Sequence, residues 1–333
     1  LNESTLSLCW DKVVRVLITG ATGSLGHALV RYALNETDWH LIVFSRDEKK
    51  QADMHALFND ARAEFRLGDV RDQARLKLAF YGCDVVIHAA ALKRVDAVAG
   101  EPVEVFKTNV LGTWNVLQAA LSARVPKVLV ISSDKACHPI NAYGASKFAA
   151  EALTVSFNQY GYPQGTKASA VRYGNVLGSR GSVVHHWLGG GSDLTHPDMT
   201  RFIITMPQAV GLVHAALDAM EGGEVFVPRL PAARMIDLYQ ACAGTEASYR
   251  YVGLRPGGEK MHETLLTEEE AQRSRDLGDY VSIIEPHLTP WTKTPHWAEE
   301  PRTLDGERRS DTARKLSVEQ LREMVKTVPE EGV

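Results

Sequence analysis

The sequence predicts an α/β protein, a doubly wound parallel sheet with a smaller C-terminal lobe. Three observations lead there. Over the first half of the chain, apolar runs of strand length alternate with longer amphipathic stretches, the pattern of strands buried on both faces between crossover helices. A glycine-rich turn joins the first strand to the first helix. Beyond about residue 177 the alternation loosens, and Gly and Pro accumulate in "GGGSD", "PRLP" and "LRPGGEK". A chain of 333 residues, 44% hydrophobic and 23% charged, is long enough for one large domain or two smaller ones with a real core.

The strands read in order as "VVRVLITG" (13–20), "HLIVFS" (40–45), "AEFRLGD" (63–69), "DVVIHAA" (84–90) and "KVLVISS" (127–133), with a sixth at "ASAVRYGNV" (168–176). Between them, "SLGHALVRYALNET" and "VFKTNVLGTWNVLQAALSA" have helical periodicity. Residues 1–180 are expected to form a dinucleotide-binding domain to which segments of the C-terminal half return. Residues 181–333 are expected to form a substrate-binding lobe and tail over the carboxyl edge of the sheet, where such folds place their ligands. The acidic run "TEEEAQRSRD" (267–276) reads as a solvated helical face, and "EEPRTLDGERRSDTARK" as an exposed polar tail. The closing "SVEQLREMVKTV" reads as a helix with Ser317 as N-cap and Glu319 and Gln320 in its first turn.

Composition excludes several classes. A net charge of −4 gives no global basic field for nucleic acid. The four cysteines, Cys9, Cys83, Cys137 and Cys242, have no CxxC or metal-finger spacing, and reduced thiols in a cytoplasmic enzyme are the simplest reading. No apolar run approaches the ~20 residues of a membrane span, and the first residues do not read as a signal peptide. His185 and His186 are adjacent, which does not suit a metal site; His138, His196 and His262 read as polar packing or substrate-lobe residues, and no metal is expected. Trp114 reads as a core or oligomer contact.

"TGATGSLG" (19–26) ends a strand and opens a helix, with Gly20, Gly23 and Gly26 evenly spaced. Such glycines allow a tight turn and bring backbone N–H groups close to a pyrophosphate at the helix N-terminus, which predicts a Rossmann-type dinucleotide site. The second strand ends in Ser45 and Arg46, with Lys49 and Lys50 following. An NAD site places an acid there for the ribose hydroxyls; a cation pairs instead with a 2′-phosphate, so NADP is favoured over NAD. The other reading of these cations is a solvated helix start. Asp69, ending the third strand in "GDVRD", is placed to meet the adenine.

"SSDKACHPINAYGASK" (132–147) carries the chemistry. Tyr143 and Lys147 stand one helical turn apart on one face. An ammonium and an oxidised nicotinamide both favour tyrosinate, so Tyr143 can take a hydroxyl proton while Ser133 orients the same hydroxyl. Asp134 and Lys135 add a second acid and base, which points to a second chemical step. Their other reading is a loop ion pair or helix cap.

With "ITGATGSLG", "VFSRDEKKQADM", "LGDVRD", "IHAAALKRV", "KTNVLGTWNV", "VRYGNVLGSRGSVV", "MTRFIIT", "GGEVFVPRLP", "GLRPGGEKMHE" and "KLSVEQL", the chain resembles the extended short-chain dehydrogenase/reductase family. More narrowly, it resembles the inverting UDP-N-acetylglucosamine 4,6-dehydratases of bacterial flagellar and capsular sugar pathways, with matching stretches along nearly the whole chain. The resemblance implies NADP-dependent oxidation of the sugar at C4, then elimination of water across C5 and C6 with Lys135 as base and Asp134 as acid, then return of hydride to C6. It implies a cofactor site of Gly20, Thr22, Gly23, Ser24, Leu25, Gly26, Ser45, Arg46, Lys49, Asp69, Val70, Ala89, Ala90, Ala91, Lys93, Asn109, Tyr143 and Lys147. The substrate site implied is Lys93, Tyr173, Asn175, Arg180, Ser182, Thr200, Arg201, Arg234, Arg255 and Glu259, with Lys260 beside it. The partner implied is a UDP-linked sugar, with neither nucleic acid nor membrane, and the protein is expected to be a homo-oligomer.

The chain departs from this pattern in three places. A glycine is inserted at 257 or 258 within the motif R-P-G-E-K, the stretch 185–202 is shortened, and Cys137 replaces a small residue, reading as a buried thiol. A 4-epimerase of the same fold would need Ser133, Tyr143 and Lys147 but not Asp134 and Lys135. A non-catalytic NADP-binding regulator would have little reason to keep Ser133, Tyr143 and Lys147 together.

Overall fold

The computed structural model describes residues 13–93, 100–255, 258–284 and 306–328. Cys9, Gly257 and the first part of the polar tail, 299–305, lie outside them.

Six parallel strands follow the apolar runs: β1 (Arg15–Thr19), β2 (His40–Ser45), β3 (Ala63–Leu67), β4 (Val85–His88), β5 (Lys127–Ile131) and β6 (Lys167–Val171). They lie in the order β6-β5-β4-β1-β2-β3, with Val16 of β1 facing Leu41 on one side and Val85 on the other. The order reverses between β1 and β4, which opens a crevice at the carboxyl edge. β10 (Glu224–Pro228) joins β6 in parallel, and β15 (Tyr280–Ile284) and β14 (Ser274–Asp276) extend that side antiparallel, giving nine strands.

Helices cover both faces. On one side lie α3 (Gln73–Phe80), α4 (Gly112–Ala123) and α5 (Ala142–Gly161), whose Leu76, Leu117 and Phe157 share a core with Leu17 and Val128. On the other lie α1 (Ser24–Glu36), α2 (Glu48–Phe58) and α7 (Met206–Ala219), with Val30, Met54 and Val213 packed on Val16 and Leu129. Each such side chain contributes roughly 1.5–3 kcal/mol when fully buried. α4 is preceded by one turn, Pro102–Phe106, and a π-helical turn, Lys107–Leu111.

The lobe has its own core, in which Trp187 of α6 (Val183–Leu188), Tyr239 of α8 (Met235–Ala243) and Leu321 of α9 (Val318–Lys326) meet. Its small sheets are built from β7 (Asn175–Val176), β8 (Asp193–Leu194), β9 (Thr200–Ile204), β11 (Ala232–Arg234), β12 (Arg250–Tyr251), β13 (Thr264–Leu266) and β16 (Arg308–Arg309). α9 begins at Ser317, whose side chain and that of Gln320 cap each other's backbone N–H groups.

Three expectations are corrected. The run 168–176 is two strands, because the chain leaves the sheet at Arg172, whose guanidinium turns inward to two carboxylates, and re-enters a different sheet as β7. The acidic run is not a solvated face. Only Glu268–Ala271 is helical, and Glu270 points inward because Arg172 neutralises it. The described part of the polar tail is docked: Arg308–Arg309 pairs with β13, Ser310 is buried, and Leu316 N–H donates to Ala232 O. Backbone pairing holds this segment, so its polar composition carries no trace of the docking.

Candidate active site

The glycine turn ends β1 at the crevice. Gly20 has a left-handed φ of 67°, and a Cβ there would lie 2.7 Å from Ala90 N and Cα. The loop therefore rests directly on the end of β4, and only glycine permits it. Gly23 caps α1 without a side-chain bond, and no acid stands in the first turn, so the helix N-terminus carrying Ser24, Leu25 and Gly26 presents backbone donors to an anion. This cradle fits a dinucleotide pyrophosphate. Arg180, expected on the substrate side, sits here instead: its N–H donates to Ser24 Oγ at 2.8 Å and its guanidinium to Thr22 O at 3.3 Å.

At the ends of β2 and β3, Ser45 is buried and its hydroxyl accepts from Gln51 Nε2 at 3.0 Å. Arg46 is half-exposed, 3.6 Å from Asp69, which also takes Arg71 at 2.7 Å. Lys49 turns instead to Asp53 on its own helix. Val70 is buried under α4. On β4, His88 lies between the Thr19 and Thr113 hydroxyls at 2.7 and 3.0 Å, and burial, aided by the Lys147 charge, pushes its pKa down to about 3. It is a neutral strut that fixes the β1 and β4 ends; the sequence reading missed it. Ala89, Ala90, Ala91 and Lys93 follow it along the crevice. Asn109, in the π turn, is buried and wholly engaged: it accepts from Leu92 N, and its amide donates to Leu92 O and Ser146 Oγ, which in turn donates to Tyr143 O. Asn109 thus ties the edge of the crevice to α5.

β5 delivers Ser133 and a tight turn, Asp134–Ala136, held by Asp134 N–H to Tyr173 O at 2.9 Å. The first turn of α5 lies against it so closely that a Cβ on Gly144 would be 2.5 Å from Lys135 O. This approach brings all five expected catalytic residues together. Asp134 is fully buried; its Oδ1 accepts from Ser133 Oγ at 2.8 Å and Lys135 Nζ at 3.0 Å, and its Oδ2 has no partner among the described residues. Burial, with the nearby charge of Glu263, raises the Asp134 carboxyl against the pull of Lys135. Burial alone would lower Lys135, but Asp134 and Glu263 outweigh it and hold the ammonium above the usual lysine range. Burial also raises Tyr143, opposed by Lys135 and by a hydrogen bond to Ser133. Lys147 donates to Ile131 O at 2.5 Å, and burial pushes it down to about 8.

A polar cleft opens above Lys135, lined by Asn141, Asn175, Arg201, Arg255, Glu259, Lys260 and Glu263 among others. Asn175 Oδ1 accepts from Lys135 at 3.1 Å. Arg201 is buried against Glu259 at 3.2 Å, and Arg255 reaches the same carboxylate at 2.6 Å. Tyr173 is buried beside Tyr143. Thr200 bonds to His262 and Ser310, and Ser182 caps α6, its buried hydroxyl without a partner among the described residues. Arg234 is turned to Asp237 and does not line the cleft.

Two further features escaped the sequence reading. Glu263 is buried with Lys260 at 3.1 Å, Lys135 at 3.5 Å and Arg201 at 3.9 Å; these cations outweigh burial and hold it at about 2. Its only signal was its place just after the R-P-G-G-E-K motif. Arg172 is buried between Glu151 of α5 at 2.6 Å and Glu270 at 2.8 Å, and also donates to Cys137 Sγ, which is a buried thiol as expected. Among the described residues, no group of three or more His, Cys, Asp or Glu could hold a metal ion, and no helix is long and apolar enough to cross a membrane.

A family model described as polysaccharide biosynthesis protein matches residues 16–285. The chain is 39% identical over 275 residues to the UDP-N-acetylglucosamine 4,6-dehydratase (inverting) of Campylobacter jejuni subsp. jejuni serotype O:23/36 (strain 81-176), covering 80% of this chain and 82% of the relative. It is 40% identical over 280 residues to the UDP-glucose 4-epimerase of Rickettsia prowazekii (strain Madrid E), with coverage of 80% and 82%. Among solved structures, the X-ray structure of Pen from Bacillus thuringiensis matches with a TM-score of 0.87 and 33% identity over 95% of this chain and 98% of that one.

Proposed function

The chain belongs to the polysaccharide biosynthesis protein family, and from that premise we propose that it is a C5-inverting, NADP-dependent 4,6-dehydratase of UDP-N-acetylglucosamine or a close analogue. One observation carries the reading: a fully buried carboxyl, Asp134, hydrogen-bonded to Lys135 beside Ser133 and Tyr143 at the foot of a polar cleft. Oxidation at C4 alone has no use for that second acid and base.

Bound NADP would supply the hydride acceptor at C4 and the donor at C6. The Gly20–Gly26 turn and the α1 N-terminus hold its pyrophosphate, and Arg46 suits a 2′-phosphate. Tyr143 takes the C4 hydroxyl proton, oriented by Ser133 and aided by the Lys147 charge. The resulting ketone acidifies C5, where Lys135 removes the proton, while Asp134 protonates the departing C6 hydroxyl. Acid and base are adjacent because they serve neighbouring carbons. Arg201 and Arg255, cations on the cleft wall, suit a diphosphate.

The epimerase relative motivates the second reading, a 4-epimerase that uses only Ser133, Tyr143 and Lys147. Incubation with UDP-N-acetylglucosamine in deuterated water, followed by NMR and mass spectrometry, separates the two. The dehydratase yields the L-arabino 4-keto-6-deoxy sugar, with deuterium at inverted C5 and the original C4 hydrogen recovered at C6. A product that keeps its 6-hydroxyl and is inverted only at C4 means the epimerase; a retained D-configuration at C5 contradicts the role of Lys135.

A further inference from the structure

We propose that Glu263 is a positioning residue that decides which member of the Asp134–Lys135 pair carries the proton, and so when the pair is able to remove water. The inference rests on the dehydratase reading for its chemistry.

Elimination needs a neutral amine at Lys135 and a neutral carboxyl at Asp134. As an ammonium and a carboxylate, the same two groups are inert in both roles. A single proton passing from Lys135 Nζ to Asp134 Oδ1, along their 3.0 Å hydrogen bond, arms both groups at once without exchange with solvent. The amine then takes the C5 proton, the acid gives its proton to the leaving C6 hydroxyl to form water, and the ion pair is restored. Full burial of Asp134, with Oδ2 unpartnered among the described residues, favours the neutral pair.

Glu263 opposes it. Its Oε1 lies 3.5 Å from Lys135 Nζ, and its side chain is 3% exposed, so water screens the attraction little. A negative charge there stabilises the ammonium. The strength of its hold depends on what else it serves: Lys260 at 3.1 Å on Oε2 and Arg201 at 3.9 Å on Oε1 compete for the same carboxylate. Lys135 also faces Asp134, the Asn175 carbonyl, the phenol of Tyr143 and the Arg201 guanidinium, whose like charge works against the ammonium. Glu263 is anchored at both backbone groups by Ser310, which accepts from Glu263 N–H through Oγ at 2.9 Å and donates its own N–H to Glu263 O at 2.8 Å. Its place beside Lys135 is therefore built in.

The test uses the NADP-loaded enzyme with isotope-labelled lysine, reading the Lys135 titration by NMR and assigning it with Lys135→Ala. Glu263→Gln should lower the Lys135 midpoint by about one pH unit or more. Lys260→Gln should raise it, because the carboxylate is freed to act on Lys135. Glu263→Asp should fall between wild type and Glu263→Gln. In single turnovers with UDP-N-acetylglucosamine in deuterated water, the pH profile of elimination should move in the same directions. A merely structural role would not give shifts of opposite sign. If both variants move Lys135 the same way, or neither moves it, the proposal is wrong; if Glu263→Gln does not fold, Lys260→Gln and Glu263→Asp still decide. A wild type that removes no water but shows these shifts refutes the dehydratase reading alone, and a dehydrating wild type without them refutes this inference alone.

Discussion

At the scale of single residues, the proposed dehydratase reading assigns the site's groups to two chemical steps, and substitutions should separate them. Tyr143→Phe removes the phenol proposed to take the C4 proton, so substrate should no longer reduce bound NADP. Lys135→Ala leaves Ser133, Tyr143 and Lys147 in place, so nicotinamide absorbance should rise and then stall before water is lost. Dehydration by Lys135→Ala at the wild-type rate would end its assignment as base. Lys147 adds a pH dependence. Burial holds its ammonium near about 8, well below an ordinary lysine, so the charge that favours tyrosinate is present below that pH and lost above it. Cofactor reduction in a single turnover should therefore decline on the alkaline side of about pH 8; a flat profile across that range would contradict the role of the ammonium. Arg46 tests the cofactor. Exchanging it for the acid of an NAD site, Arg46→Asp, should weaken NADP by about 1.5–3 kcal/mol and leave NAD far less affected. Calorimetry showing equal wild-type affinity for both dinucleotides would remove the argument.

At the scale of elements, the catalytic turn is held from below by a buried ion triad. Arg172 leaves the end of β6, Glu151 comes from α5, and Glu270 from the short turn after β13. The guanidinium also touches Cys137, directly after the Asp134–Ala136 turn. Three elements distant in sequence thus meet at one planar cation that satisfies both carboxylates through paired hydrogen bonds. Arg172→Met would leave two buried carboxylates uncompensated, at a cost of about 3–5 kcal/mol. Thermal unfolding should show a large drop in Tm, and adding Glu151→Gln and Glu270→Gln should recover part of it. A single variant as stable as wild type would mean that the triad holds nothing.

For the whole molecule, the C-terminal segment belongs to the site although it lies far from the catalytic stretch in sequence. Arg308–Arg309 adds to β13, Ser310 grips Glu263, and Leu316 is bound to β11. Ending the chain after residue 305 should therefore cost activity, not only stability. The shortened protein should still bind NADP, because the Gly20 loop, Arg46 and α1 lie elsewhere, but should eliminate water poorly even at temperatures where it stays folded. Dinucleotide affinity measured beside turnover decides this, and full turnover by the shortened chain would contradict it.

Much of this was legible in the chain itself. The alternation of apolar runs, the glycine spacing and the S-D-K…Y…K order each depend on residues close in sequence, where strand and helix periodicity act directly. They determined the parallel sheet, the glycine turn at its crevice and the gathering of Ser133, Asp134, Lys135, Tyr143 and Lys147 in one place. Tertiary structure alone decided what surrounds them. Arg180 reads like a substrate cation and lands on the cofactor loop, Arg234 reads the same way and is taken by Asp237, and Glu270 sits in an acidic run that looks solvated. Glu263 and Ser310 carry no local pattern. The reason is physical: a charged side chain is held wherever an opposite charge meets it out of water, and which charges meet is set by how distant segments pack. Periodicity in the sequence records which face of an element is buried, but it does not record which partner waits there.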